Sequence, residues 1–572
     1  MKEPRNDSTR RRFLRTVAGG TVVGTTALAG CSGESDTTPA ATTEEDGSGS
    51  TTESGDGTEA SAGGAGEALP TYTYLNNPAN YNAARHDAIN LIGERLNQLG
   101  LDVGVEVFEW GTLYERATQE FDFGFTTWSR GLGLYPGTRM PEQFHSSNTD
   151  PGQGNFTGYT NEDLDPVLMN QLQEGDRSAR VDMLHEIQSV INEDVPMHPI
   201  VQMPNPLAFN NNQVSNWTEH LVGFYHMEPQ TNVEVTADHG ELRGSWSETL
   251  GTLNVLGYNN ETKLIHQFEM LYDKLVRNNS NLEPDADLSL ATSWESPDET
   301  TVRYQIREGH TWHDGEDVTP EDVKFTLDYI KENQVPLYAT QWEMYDSVEV
   351  DGQWVQVNFS NPVGPVHQTF SNQIPIVPQH IWSERSDPTN VSVTEPVGSG
   401  PLMFDYWDQG SELSLVRNDD HWNTVNYDRR IWRIIPESST VWSLLLDGTL
   451  NYLPFTRIGK QLSDNQSEDQ ITVLAPPGDG WWHLSQNTRQ GGLDDPVVRR
   501  AAVHSIPKQV INEQLLYGFA TQGWNLVGES FGDYSNPEVP KYQEENGVEV
   551  GRGLMEEAGY TFDDDGMAHF PE

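Results

Sequence analysis

The sequence predicts a mixed α/β fold, and three observations predict it. Apolar residues recur at helical spacing in several segments, alternate at strand spacing in others, and the two kinds of segment interleave along the chain between Pro- and Gly-rich loops. Arg85 to Leu99 carries Ile89, Ile92, Leu96 and Leu99 on one helical face, and Gly100 stops that helix. Leu101, Val103, Val105 and Val107 then alternate as a strand. Val181, Leu184, Ile187 and Ile191 mark a second helix, closed by Asp194-Val195-Pro196. Val302, Tyr304 and Ile306 alternate again. Thr319-Pro320-Glu321-Asp322 combines a hydroxyl cap, a proline in the first turn and two acids, and Val323, Leu327 and Ile330 give the helix it opens a buried stripe. Asp495-Pro496 opens another through Val497, Val498 and Ala501.

At 572 residues the chain exceeds one ordinary domain. Its 16 Trp, 20 Tyr and 19 Phe supply bulky core material although only 35% of residues are apolar. Acids outnumber bases 87 to 34, a formal net charge of −53, which disfavours nucleic acid as a partner. The acids are spread along the whole chain, so the surface is read as an adaptation to high salt of the haloarchaeal kind. The single cysteine, Cys31, excludes an intrachain disulfide and a Cys-based zinc site.

Residues 1–31 read as an export address. Arg10-Arg11-Arg12-Phe13-Leu14 is a twin-arginine pattern, Val17 to Gly30 is an uncharged stretch too short to span a membrane, and Leu28-Ala29-Gly30-Cys31 resembles a lipobox with Cys31 as the lipidated residue. Residues 32–69 are Ser, Thr, Gly, Ala, Asp and Glu with few apolar side chains, and are expected to be a flexible tether.

There is no GxxxxGK, GxGxxG or HExxH, and nothing assembles a nucleophile with a base, so the chain is read as a binding protein and not an enzyme, with no cofactor and no metal. His310 and His313 flank Trp312 and are expected to be solvated in a strand-to-turn segment, with a metal pair as the alternative. Asp563-Asp564-Asp565 is expected to be solvated surface.

Several runs carry a family resemblance. They are Gly251-Thr252-Leu253-Asn254, Leu271-Tyr272-Asp273-Lys274-Leu275, Leu290-Ala291-Thr292-Ser293-Trp294, Gly309-His310-Thr311-Trp312-His313-Asp314-Gly315, Gly398-Ser399-Gly400-Pro401, Asp494-Asp495-Pro496-Val497 and Leu554-Met555-Glu556-Glu557-Ala558-Gly559-Tyr560. In this order they resemble the dipeptide/oligopeptide/nickel-binding family of ABC transporter substrate-binding proteins, extracellular solute-binding protein family 5. Material that ends the family's chains, Leu96 to Val107, Trp128 and Asp194 to Pro199, stands first here, so the resemblance implies a circular permutation joined through about residues 232–248.

That resemblance implies a two-lobed, periplasmic-binding-protein-like fold of the large type II class with an extra subdomain, mixed sheets and a hinged cleft. Residues 206–480 would form one lobe, and 70–205 with 481–572 the other. It implies a monomer that captures a small solute and hands it to an ABC permease and its ATPase subunits, anchored by lipid on the extracellular face of the cytoplasmic membrane. An oligopeptide is the first ligand class, an oligosaccharide the second and a nickel chelate the third; a ligand-sensing module for a membrane receptor is the alternative of another class. Peptide-binding members place an acid in the loop after a tryptophan to pair with the peptide's α-amino group. Here that loop is Trp128-Ser129-Arg130-Gly131-Leu132-Gly133-Leu134-Tyr135 and carries no acid. Arg130 would favour a carboxylate, phosphate or hydroxyl-rich group. The other ligand contacts expected are Trp128, Ser129, Tyr135, Tyr258, Asn259, Trp481, Trp482 and Asn487.

Overall fold

The computed structural model describes residues 66–247, 249–257, 268–454, 458–542 and 545–571. Cys31 and the export address, the tether as far as residue 65, and Tyr258 and Asn259 lie outside the described residues.

One body is built around a seven-stranded mixed sheet. Its strands run in the order Val103–Val107, Tyr72–Asn76, Phe125–Thr126, Pro477–Gln486, Met197–Pro204 and Thr521–Gln522, with Ser129–Gly131 also paired to Pro477–Gln486. The first three are parallel, and Pro477–Gln486 is antiparallel to its neighbours. Residues from both ends of the chain therefore share one sheet.

The helix Ala83–Leu99 lies on this sheet because Ile89, Ile92, Leu96 and Leu99 form a fully buried face. The Asn82 side chain accepts from Arg85 N at 3.0 Å at its start, and Gly100 at φ 107° closes it. The helices Pro496–His504 and Gly547–Glu557 complete the layer, and Val498, Ala501, Ala502 and Met555 share one core with Tyr72, Tyr74 and Phe125. A second core holds Trp128, Phe156, Leu184, Ile187, Ile191, Trp481, Phe531 and Tyr534, with the helix Arg177–Asp194 contributing its apolar stripe.

The other body has, among the described residues, three sheets of three or four strands and two small two-stranded ones, Arg277–Asn278 with Pro284–Asp285 and Val214–Ser215 with Glu234–Val235. Ala291–Asp298, Thr301–Ile306, Trp354–Phe359 and Tyr345–Asp351 form an antiparallel sheet, against which packs the helix Pro320–Glu332. That helix opens on a capping box between Thr319 and Asp322. Leu402–Asp408, Glu412–Arg417, Arg429–Ile434 and Glu241–Trp246 form the next, and Tyr452–Leu453, Leu207–Asn210 and Ile471–Leu474 the third. One extended core, including Leu271, Tyr304, Trp312, Leu327, Val355 and Trp432, runs beneath them.

The bodies are joined by two crossings that run side by side. Met197–Pro204 of the large sheet continues into Leu207–Asn210, and Ile471–Leu474 continues into Pro477–Gln486. Pro204 pairs with Pro477, and Asn205 N donates to Pro476 O at 3.0 Å. Each crossing has only two residues between strands, so rotation between the bodies concentrates there.

The start and the end of the described chain also meet. Leu69 N donates to Ala568 O at 2.9 Å and Phe570 N to Glu67 O at 2.8 Å, around a bridge between Ala68 and His569. Among the described residues no helix is long and apolar enough to cross a membrane.

Candidate functional site

At the foot of the hinge, Ser129–Gly131 pairs with the start of Pro477–Gln486, opposing Ser129 to Trp482, Arg130 to Trp481 and Gly131 to Gly480. The tryptophan loop and the Trp481-Trp482 pair, expected separately as ligand contacts, are thus neighbours in one sheet. Trp128 and Trp481 are buried and flank His483, each ring centroid 5.3 Å from the imidazole and at 82° to it. Trp482 is buried in the core beside Tyr74 and Phe125. Ser129 is half-buried.

Two of the expected contacts are engaged within the protein. Tyr135 is 1% exposed and donates its hydroxyl to Gln171 Oε1 at 2.6 Å. Asn487 is buried, donates both amide hydrogens, to Phe121 O and Phe123 O at 2.9 Å, and accepts from Arg489 N through Oδ1. Its side chain holds the loop entering Phe125–Thr126 in place.

The Arg130 guanidinium is 10% exposed and stands 3.7 Å from Glu142 Oε1, a long ion pair. Its Nε has no hydrogen-bond partner, and the Phe156 ring lies 5.4 Å away. Burial lowers its pKa, Glu142 opposes that, and Arg139 adds to it. Against Trp128 also lie the half-buried rings of Trp110 and Tyr114, with Tyr81 stacked on Trp110 at 5.9 Å.

An acid on the neighbouring strand faces the tryptophan loop. A Cβ on Gly131 would stand 2.8 Å from Asp479 Oδ2, so the Asp479 carboxylate fills the space over that glycine. Gly133 N donates to Oδ2 at 2.9 Å. Asp479 has no cation within ion-pair distance among the described residues, and burial lifts its carboxyl above the usual 3.8. Sequence reasoning missed it because Asp479 is 348 positions from Gly131. The available signal was an acid flanked by glycines, Gly478-Asp479-Gly480, directly before Trp481.

A second polar cluster lies in the other body, and it corrects the expectation that both histidines around Trp312 are solvated. His310 is buried, and its Nε2 lies 3.1 Å from Asp273 Oδ2; His421 Nε2 lies 3.3 Å from Oδ1, and Ser399 Oγ donates to Oδ2 at 2.8 Å. His313 Nε2 lies 2.9 Å from Gly400 O, and Gly398 N donates to its Nδ1. The ligand-type atoms of Asp273, His310 and His421 lie within 4.8 Å of one another. Yet Asn423 N donates to His421 Nδ1 at 3.0 Å, which leaves the ring hydrogen on Nε2, directed at Asp273. A metal would have to displace that hydrogen and break the Asn423 bond. The cluster is a hydrogen-bonded knot tying four separate chain segments together.

The paired crossings define a hinged two-lobed fold, with the Asp479 carboxyl and the underpaired Arg130 guanidinium beside the hinge. Residues 287–570 match the profile described as "Bacterial extracellular solute-binding proteins, family 5 Middle". The chain belongs to this family of extracellular solute-binding proteins. It is 24% identical over 302 residues to "Oligopeptide-binding protein AppA" of Bacillus subtilis (strain 168), covering 51% of this chain and 54% of that protein. It is 23% identical over 329 residues to "Heme-binding protein A" of Haemophilus influenzae, covering 51% and 57%. Among solved structures, HbpA2 from Haemophilus parasuis is similar at 19% identity and a TM-score of 0.48, covering 56% of this chain and 67% of that one. The chain spans about half the length of the curated relatives it matches.

Proposed function

We propose that this protein is the extracellular substrate-binding component of an ABC transporter and that its solute is peptide-like, with a free amino group. The observation that carries the reading is Asp479, a desolvated acid beside the hinge that feels Arg139 at a distance but has no ion-pair partner among the described residues. A protonated amine would supply the missing charge and hydrogen bonds. Closure of the lobes over the solute would shift the population toward the form that docks on the permease. The half-buried rings of Trp110 and Tyr114 favour, as a second reading, a solute with a flat apolar or sugar face.

The test is a thermal-shift and calorimetric screen in concentrated salt with free tripeptides, their N-acetylated forms, oligosaccharides and metal chelates. A free peptide at a hundred times its Kd should stabilise the fold by ~2.7 kcal/mol, and its acetylated form by much less. A response to oligosaccharides alone would move the assignment to the second reading, and silence across the panel would overturn both.

We further propose that the chain is a circular permutant of its family, with lobes at 206–480 and at 70–205 plus 481–572. The strand pairing of residues 67–69 with 568–570, and the sheet drawn from both ends, support this. Export through the twin-arginine route, anchoring through a lipid on Cys31 and a monomeric state belong to the same proposal, and the order of charged, uncharged and Cys segments in residues 1–31 supports the export and anchoring parts.

A further inference from the structure

We infer that Leu282 is a latch that holds the two lobes closed without touching the solute. It sits in the turn between the strands Arg277–Asn278 and Pro284–Asp285, which belong to the 206–480 lobe. The turn is otherwise polar, Asn279, Ser280, Asn281 and Glu283. It is wired rigidly: Asn279 N donates to Glu283 O at 2.8 Å and Leu282 N to Asn279 O at 2.9 Å. Leu282 O accepts from Asn278 Nδ2 at 3.1 Å and from Gln368 Nε2 at 3.2 Å.

Leu282 stands at φ 63°, a conformation that β-substituted residues avoid, so its backbone is held there at a cost. Its side chain is nevertheless only 2% exposed, because it is packed in the apolar core of the opposite lobe with Phe531, Tyr534 and Leu526. Arg177, Glu529, Gly532 and Asp533 of that lobe face the same turn across a crevice of about 320 Å³. A second contact lies alongside, reached through Gln368. Gly364 N donates to Leu172 O across the lobes at 2.9 Å, and a Cβ on Gly364 would stand 1.9 Å from Glu174 O. Both contacts must part when the hinge opens.

A leucine fixed on a rigid turn and buried in a core drawn mostly from the partner lobe contributes most of its burial to closure. Loss of that burial should lower the closed-to-open ratio roughly ten- to hundredfold. The inference concerns closure and stands whether or not the solute is a peptide. The experiment is small-angle X-ray scattering of the full chain in concentrated salt with no added solute, comparing wild type with Leu282→Asn and Gly364→Ala. Asparagine accepts the left-handed backbone but removes the apolar knob. Both variants should show a larger radius of gyration with unchanged far-UV circular dichroism. Unchanged scattering in both would overturn the inference. So would unfolding of Leu282→Asn, since a contact that parts on opening cannot be required for the fold.

Discussion

Replacing Asp273 by asparagine should be among the most damaging isosteric changes in the protein. The carboxylate is fully buried and takes three hydrogen bonds, from His310 Nε2, His421 Nε2 and Ser399 Oγ. Asparagine keeps one acceptor oxygen and presents an amide N–H₂ where the other oxygen was. Because Asn423 N–H pins the His421 hydrogen on Nε2, that amide meets another donor on one side or, if flipped, crowds His310 and Ser399. Breaking a buried charged network of this kind costs about 3–5 kcal/mol. For a lobe of this size that is a fall in melting temperature of roughly 6–20 °C. Differential scanning calorimetry in concentrated salt measures it, together with a pH series. Burial by itself would raise the Asp273 carboxyl, but His421 and His310 pull it well below the usual 3.8. A depressed folded pKa adds stability that is present above 3.8 and lost as the pH falls below it toward the folded value. Wild type should therefore lose part of this lobe's stability on acidification below 3.8, and Asp273→Asn should lack that component. A variant melting within ~0.5 kcal/mol of wild type would refute the network argument.

Asp479→Asn should weaken binding of a free tripeptide roughly ten- to hundredfold in calorimetry and leave the acetylated peptide unaffected. Since burial raises the Asp479 carboxyl, lowering the pH should begin to weaken peptide binding in wild type while still above 3.8, as the carboxylate takes up its proton, and the variant should show no such loss. Gly131→Asp alone sets two carboxylates together and should lower thermal stability, whereas Gly131→Asp with Asp479→Gly moves the acid across the strand pair and should regain peptide binding. A rearranged chain beginning at residue 241, running through 571 and on from 66 to 235, should fold with the native circular dichroism spectrum; failure to fold would count against permutation. Cys31→Ser should release the exported protein from membranes into the medium on fractionation, and retention would exclude the lipid anchor.

Much of the architecture was legible because it is written locally. Thr319-Pro320-Glu321-Asp322 opens a helix with its capping box formed, Asp495-Pro496 caps another, and the Ile89/Ile92/Leu96/Leu99 stripe is a buried face. These signals lie within a turn or two of the residues they organise. The polar sites were not legible for the opposite reason. His310 sits in a turn motif that reads as wet; its partner Asp273 is 37 positions away, and His421 is 148 from Asp273. Asp479 takes its meaning from the pairing of Gly480 with Gly131, a register that no periodicity predicts. Burial of Leu282 likewise depends on a surface in another lobe, so its left-handed turn reads in sequence as an ordinary polar loop.

The pairing of residues 67–69 with 568–570 also decides how mechanical load enters the molecule. Anything pulling from before Gly66 draws on the lobe that contains the large sheet, through a strand pair that the chain's last residues help to brace. The opposite lobe is tied covalently through the crossings at 205 and 476, and once the contacts at Leu282 and Gly364 part it swings without dragging whatever precedes Gly66. A label attached at Ala568–Phe570 would ride on the same side, beside that attachment, and would report nothing of the swing.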